Sequence, residues 1–348
     1  KEVVMRTRPV FFFIIVMWCF GGISTEAGRI HLTAEQKAQL EKAQTVLVEV
    51  LALTEKGAHD ASPLIATVKE RLQDMGYTVT TDRAHPHDVE VKVKCEEQKT
   101  LTGTSPTGGD VDLADAPDRL WTGPACLLTY FLNQTDLQWK KEVRTMFPDA
   151  RQAAQKAQAE DAGKFAMDHL NQRLKEYDFP VLLSAEWGQV DRLLTLLDNP
   201  NTPKLRKVKI LSVVSNLHAE EALPQLTQLL QTTDLQKETI NALSGTGADS
   251  IPLLIDLFQT STQSSIQAEA AKALGNIAAK TGDPRSIPPL AKYVSSILPQ
   301  LKSSEDIDFH LLTEVVWAIG KLRWGPALSP IAELQEKVWL IHDNSKEM

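Results

Sequence analysis

The residues best suited to chemistry are two histidines at alternate positions in the run His85-Pro86-His87-Asp88. Alternate residues of an extended segment point to the same side, and neutral imidazole is a common metal ligand. A metal site also needs a third and a fourth ligand, and no second cluster of His or Cys supplies them. His85 and His87 are therefore weak candidates for metal ligands, and the run is interpreted first as a polar turn. No metal site and no cofactor is predicted.

Residue patterns typical of catalysis are missing from the chain. The Gly-x-Ser-x-Gly motif of a nucleophilic serine is absent, and the glycine-containing segment 102–110 lacks the Gly-Lys-Ser/Thr ending of a phosphate-binding loop. Glu220 and Glu221, like Asp306 and Asp308, could act as an acid and a base if a cleft buried them. Acidic residues at helix starts are explained more simply by the helix dipole. No catalytic residue is predicted.

Two cysteines, Cys95 and Cys126, remain if the first 27 residues are removed. Cys95 follows three valines at alternate positions, so it shares their inward face. A partner strand carrying Cys126 could reach it there and form a disulfide, as is usual in exported proteins. The alternative is two buried free thiols.

The N-terminus has the order of regions found in a secretory signal peptide. Arg6 and Arg8 precede the apolar run Val10–Phe20, and small residues follow up to Ala27. We predict a signal peptide over residues 1–27 and a mature protein that is periplasmic or extracellular. The alternatives are an uncleaved anchor and lipid attachment at Cys19.

Composition limits the classes of partner. The chain has 348 residues, 43% of them hydrophobic, which is enough for two domains with buried cores. Its formal net charge is -8 and it has no block of basic residues. This balance argues against nucleic acid as a partner, because such binding depends on clustered Lys and Arg. No membrane span is expected once the signal peptide is removed.

Residues 28–180 are predicted to form a small α+β domain. The pattern indicates a buried strand from Thr45, a helix opened by Ser62-Pro63, and a strand over Tyr77–Thr81. An alternating strand follows over 89–95, and a further strand over Ala125–Leu132. This order predicts a right-handed crossover followed by a hairpin. A single long helix near 150–178 would then either pack on the sheet or connect the two domains.

Residues 181–348 are predicted to form an all-α array of repeated helix pairs. Four segments begin alike and place a proline in the first turn of a helix, where a missing N–H is tolerated. These are Leu223-Pro224-Gln225-Leu226, Ile251-Pro252-Leu253-Leu254, Ile287-Pro288-Pro289-Leu290 and Leu328-Ser329-Pro330-Ile331. Val190-Asp191-Arg192-Leu193-Leu194 is similar to them without the proline. Second helices with small residues lie between these segments, as in the run from Ala268 to Ile277.

At these residues the chain resembles HEAT repeats, particularly the short HEAT-like type found alongside phycobilin lyases. The resemblance covers roughly residues 185–342 and is strongest over 264–294. It implies a solenoid of four to five helix pairs whose curved faces bind proteins. The predicted function is therefore non-catalytic protein binding, as a scaffold outside the cytoplasm. The alternative is an enzyme with its site in the α+β domain, either a lyase of the HEAT-like chromophore type or a hydrolase.

Tryptophans near the end of the array are candidate anchors for a partner, since aromatic residues often dominate interface energies. Trp324 is the partner-binding candidate, with packing against the following helix as the alternative. Trp317 lies among Val315, Val316 and Ile319 and is expected to be core. The final helix, Ile331–Ile341, carries Trp339 and is expected to cap the array.

Overall fold

The computed structural model describes residues 32–101, 121–217, 219–322 and 325–344. The predicted signal peptide (1–27), the glycine-containing segment 102–110 and Trp324 all lie outside these ranges. No helix in the described part of the chain is both long and apolar enough to cross a membrane.

The N-terminal part is an α/β layer built on one six-stranded sheet. Its elements are α1 (Ala34–Lys42), β1 (Thr45–Thr54), β2 (Gly57–Ala58), α2 (Ser62–Gln73), β3 (Thr78–Thr80), β4 (Val89–Leu101), β5 (Trp121–Leu132), β6 (Thr135–Arg144), α3 (Ala150–Lys156) and α4 (Ala162–Glu176). The strand order is β2-β1-β4-β5-β6, and β3 pairs with the start of β1. The sequence patterns that predicted β1, α2, β3, β4 and β5 are confirmed, whereas α1, β2 and β6 were not predicted.

The predicted hairpin between β3 and β4 is wrong. Both strands run parallel to β1, and β4 lies on the opposite side of β1 from β3. Asp88 explains the difference, because its carboxylate accepts hydrogen bonds of 2.8 Å from the backbone N–H groups of Gln44 and Thr45. These bonds hold the start of β4 beside the start of β1, and a tight turn back onto β3 does not form.

The predicted long helix near 150–178 is two helices. Gln158 adopts a left-handed backbone conformation with φ of 57°, which interrupts the helical path. Asp161 then caps α4 by accepting a hydrogen bond from the N–H of Lys164. Since α4 packs on α2 and on β1, β4, β5 and β6, this helix covers the sheet.

The two cysteines meet in the layer between the sheet and its helices. Cys95 on β4 is directly opposite Cys126 on β5, and a disulfide with an S–S distance of 2.05 Å joins them. Both side chains are fully buried. Valines at alternate positions before Cys95 are buried on the same face, as the sequence pattern indicated.

The C-terminal part consists of helices joined by short turns. They are α5 (Phe179–Glu186), α6 (Val190–Asp198), α7 (Lys204–Val214), α8 (Leu223–Leu229), α9 (Gln236–Leu243), α10 (Ile251–Thr260), α11 (Ser264–Thr281), α12 (Ile287–Ile297), α13 (Phe309–Leu322) and α14 (Leu328–Asn344). Each repeat start found in the sequence begins a helix, at α6, α8, α10, α12 and α14. Helices α6 to α13 therefore form four pairs, and α14 follows them.

The second helix of each pair stacks on the second helix of the next, from α7 through α9 and α11 to α13. Small residues permit the closest of these contacts. A Cβ atom built on Gly275 of α11 would lie 2.6 Å from the Cα atom of Ala318 on α13. Only glycine allows this approach, because carbon atoms normally stay about 3.5–4.0 Å apart.

A buried polar cluster joins the α/β part to the first helices of the array. The hydroxyl of Tyr77 lies 2.8 Å from Ser184 Oγ and donates to Gln189 Oε1 at 2.7 Å. Gln189 Nε2 in turn donates to the carbonyls of Leu40 and Ala43. Burial raises the pKa of Tyr77 to about 12, so the phenol stays a neutral donor. The hydrophobic core is continuous across this junction.

Candidate functional site

An apolar groove lies between the last two helices of the array. Its volume is about 440 Å³. Helix α13 contributes residues at helical spacing along one face: Phe309, Leu312, Thr313, Val316 and Trp317. Helix α14 contributes a second stripe: Ile331, Leu334, Gln335 and Val338. None of these nine side chains carries a charge, so the groove can exclude water from an apolar ligand.

The two helices that form the groove carry most of the exposed large hydrophobic residues. Among the described residues, eight such side chains are exposed, and five of them lie on α13 and α14. They are Phe309 (57% exposed), Trp317 (67%), Leu328 (71%), Trp339 (68%) and Leu340 (52%). Exposed apolar patches of this kind on a soluble surface usually mark interaction sites.

The expectation that Trp317 is core is wrong. Helix α13 buries the stripe of Leu311, Val315, Ala318 and Ile319 against the array. Trp317 lies outside this stripe, and within the described part of the chain it stays largely uncovered. A signal for this exposure was present in the sequence, because helical spacing places Trp317 next to Thr313, Glu314 and Lys321 on the polar side of α13.

The tryptophan of helix α14 is also exposed. Trp339 is exposed, on the same side of the helix as Leu328, Ala332 and Gln335 by helical spacing. Leu328 and Phe309 were not singled out from the sequence. Trp324, the residue predicted to contact a partner, lies outside the described residues.

The two candidate metal ligands occupy a polar turn between β3 and β4. His85 Nδ1 is 2.9 Å from Asp82 Oδ2, and His87 Nδ1 is 2.9 Å from the carbonyl of His85. His87 Nε2 lies 3.6 Å from Glu90 Oε1. Among the described residues there is no group of three or more His, Cys, Asp or Glu side chains placed to hold a metal ion.

The carboxylates considered from the sequence for acid–base catalysis lie at helix starts. Asp306 accepts hydrogen bonds from the N–H groups of Lys302 and Ser303, and Asp308 accepts one from Leu311. These backbone bonds lower the pKa of both carboxyls, so both are ionised at neutral pH. Glu220 and Glu221 are exposed at the start of α8. Glu221 lines the polar cleft described next, and the other three are not among the residues that line it.

A second, polar cleft of about 860 Å³ lies where the α/β part meets the array. Residues of both parts line it, including Glu41, Asp74, Asp191 and Glu221. No His, Cys, Ser or Lys is among its lining residues. Its arginine, Arg192, is engaged by Gln189, the Met75 carbonyl and Gln44. The cleft therefore offers polar contacts to a ligand but no evident nucleophile with a base beside it.

Comparison with known families identifies the repeats. A family model described as HEAT repeats matches residues 223–299. The matched span runs from the start of α8 to the end of α12, so a HEAT-like repeat region occupies the centre of the helical array. No curated protein and no solved structure matches the chain. The groove between α13 and α14 lies beyond the matched span.

Proposed function

We propose that this protein is a non-catalytic interaction protein, or scaffold, that binds a protein partner through the groove of α13 and α14. HEAT repeats commonly mediate protein–protein contacts, and stacked helix pairs present extended surfaces for them. We further propose two domains, residues 28–180 and 181–348, acting outside the cytoplasm. The buried Cys95–Cys126 disulfide supports that location, because such bonds persist in oxidising compartments.

The observation that carries the proposal is the exposure of Trp317 and Trp339 beside a groove without charged lining. Leaving such side chains in water costs free energy that a bound partner would recover. Tryptophan is also among the residues most often found at the energetic centre of interfaces. Protein binding therefore accounts for this surface better than catalysis does.

An enzyme of the lyase or hydrolase type remains the second candidate, and the polar cleft between the two parts is the observation that favours it. Its lining supplies carboxylates, amides and one threonine, Thr195, whose hydroxyl donates to the Asp191 carbonyl. These groups suit the binding of a polar ligand more than bond cleavage. We therefore place the catalytic alternative second.

Affinity capture with the full chain tests the proposal. Wild-type protein, Trp317→Ala and Leu205→Ala would be used as bait on the same extract. Leu205 is the matched control because it is 85% exposed on α7, away from the groove. We expect a partner that wild type and Leu205→Ala retain and Trp317→Ala loses. Equal recovery by all three baits would refute the proposed site.

A further inference from the structure

The groove has the dimensions of a seat for one α-helix. Its two lining stripes run from Phe309 to Trp317 and from Ile331 to Val338, about 12 Å and about 10 Å long at ~1.5 Å per residue. Both stripes follow the spacing of three and four residues that places side chains in one row. Two such rows with a furrow between them match the surface into which an amphipathic helix inserts its apolar face.

The stacking of the array points to the same shape of ligand. Helix α11 packs against one side of α13, and this contact includes the close approach of Gly275 to Ala318. By helical spacing, Phe309 and Val316 lie on the side of α13 opposite Ala318, where a further helix would continue the stack. A helix placed there would extend an interface that already exists between helices of this chain.

The charges around the groove are mainly negative. We define the rim as the charged side chains three or four residues from a lining residue, the spacing that places side chains next to each other on a helix. It contains four carboxylates and two lysines: Glu305, Asp306, Asp308 and Glu314, with Lys321 and Lys337. Glu305 and Asp306 belong to the turn 304–306, which contacts α14. Lys321 is also bonded to Asn276 of α11. The lowered pKa values of Asp306 and Asp308 keep these two charges at mildly acidic pH as well.

We infer that the groove binds a basic amphipathic α-helix of a partner protein, with an apolar stripe in the furrow and Lys or Arg beside the acidic rim. This inference rests on the proposed function and specifies the partner. The negative charge of the rim also favours a basic helix over other possible occupants of the groove. In a two-fold contact with a second copy, two acidic rims would face each other on chains of net charge -8. Anionic lipid and nucleic acid would be repelled by the same carboxylates.

Three synthetic peptides of roughly 18 residues would probe the groove, a length that allows about three bound turns with flanking residues. The first carries Leu and Trp at helical spacing with Lys on both flanks. The second keeps the apolar stripe and replaces every Lys with Glu. The third has the composition of the first with the stripe scrambled. Fluorescence anisotropy with the full chain measures each dissociation constant at low and high salt.

We expect the basic amphipathic peptide to bind at least about 10-fold more tightly than either of the other two. High salt should weaken its binding, because rim charges exposed to solvent are screened. Trp317→Ala should weaken binding about 30-fold, the effect of removing a tryptophan at an interface centre. Leu340→Ala should change it less than 2-fold, since Leu340 is exposed on the opposite side of α14 by helical spacing. Circular dichroism and melting would verify that both variants fold.

Other outcomes would overturn the inference. If the acidic peptide binds as tightly as the basic one, the rim charges do not select the partner. If the scrambled peptide binds as tightly, the apolar stripe is not needed and only charge attracts the peptide. A wild-type dimer in sedimentation that Trp317→Ala dissociates would assign the groove to a second copy. Binding to anionic vesicles that Trp317→Ala abolishes would assign it to a membrane surface. If no peptide binds while the capture experiment still loses its partner with Trp317→Ala, the proposed function stands and only the basic helix is refuted.

Discussion

Two identical substitutions in the array, Gly275→Ala and Gly320→Ala, should change stability in opposite directions. Both glycines lie within helices, α11 and α13, where alanine is intrinsically favoured over glycine by ~1 kcal/mol. A Cβ on Gly320 would meet nothing within 4 Å, so only this favourable term applies. We expect Gly320→Ala to stabilise the protein by about 0.5–1 kcal/mol.

At Gly275 the tertiary contact outweighs helix propensity. The added Cβ would be 2.6 Å from both the Cα and the Cβ of Ala318. The first of these is a backbone atom, so no side-chain rotation relieves the overlap and α11 and α13 must separate by about 1 Å. Overpacking of this kind costs about 1–3 kcal/mol, with this backbone overlap toward the upper end. After subtraction of the propensity gain, Gly275→Ala should destabilise by roughly 1–2 kcal/mol.

Equilibrium unfolding in urea, followed by circular dichroism, measures both changes. The stability changes at the two positions should differ by roughly 1.5–3 kcal/mol. The double variant Gly275→Ala with Ala318→Gly should recover part of the loss, and a double-mutant cycle isolates that coupling. If Gly275→Ala were as stable as Gly320→Ala, the close contact between α11 and α13 would be refuted.

Two further changes test the α/β part and its junction. Replacing Cys95 and Cys126 with alanine should lower the free energy of unfolding by ~2–4 kcal/mol, since the disulfide closes a loop with a sequence separation of 31. Reductant alone should act slowly on the folded protein because both sulfurs are buried; rapid reduction without denaturant would contradict this burial. Tyr77→Phe should cost ~1–3 kcal/mol at neutral pH, as Gln189 and Ser184 lose a buried partner. Burial raises the pKa of Tyr77 in the folded state from 10.0 to about 12. The stability that the neutral phenol adds to the folded protein is therefore present below pH 10 and is lost as pH rises toward 12. The stability gap between wild type and Tyr77→Phe should therefore narrow above pH 10, and a constant gap up to pH 12 would refute the buried neutral phenol.

The junction between the two parts shows a limit of sequence reasoning. Tyr77, Ser184 and Gln189 are far apart in the chain, and none belongs to a local motif. Their hydrogen bonds form only after β3, α5 and the start of α6 have packed together. The proposed domain boundary near residue 180 was visible in the sequence, because helices separated by short polar turns begin there. The polar cluster that crosses this boundary was not visible.

Local patterns predicted what depends on neighbours along the chain. Pro224, Pro252 and Pro288 predicted helix starts because a first helical turn tolerates a missing N–H. The alternation before Cys95 predicted an inward cysteine because a strand repeats every two residues. The sequence left open whether Cys95 pairs with Cys126 or both stay free thiols, and the register of β4 and β5 places them opposite each other in a disulfide.

Tertiary structure decided what depends on neighbours in space. The residues next to Trp317 along the chain are those of a core helix, and the sequence alone determined that α13 would be helical with a wide apolar face. Whether a given side of that helix is buried depends on whether another helix packs against it. The residues of α13 do not show whether such a helix is present. The strand order was decided in the same way, because β1 pairs with β3 on one side and with β4 on the other, where Asp88 also bonds to the backbone of Gln44 and Thr45. The site proposed for this protein is therefore a property of the folded array, because exposure arises only after every other apolar face has found its partner.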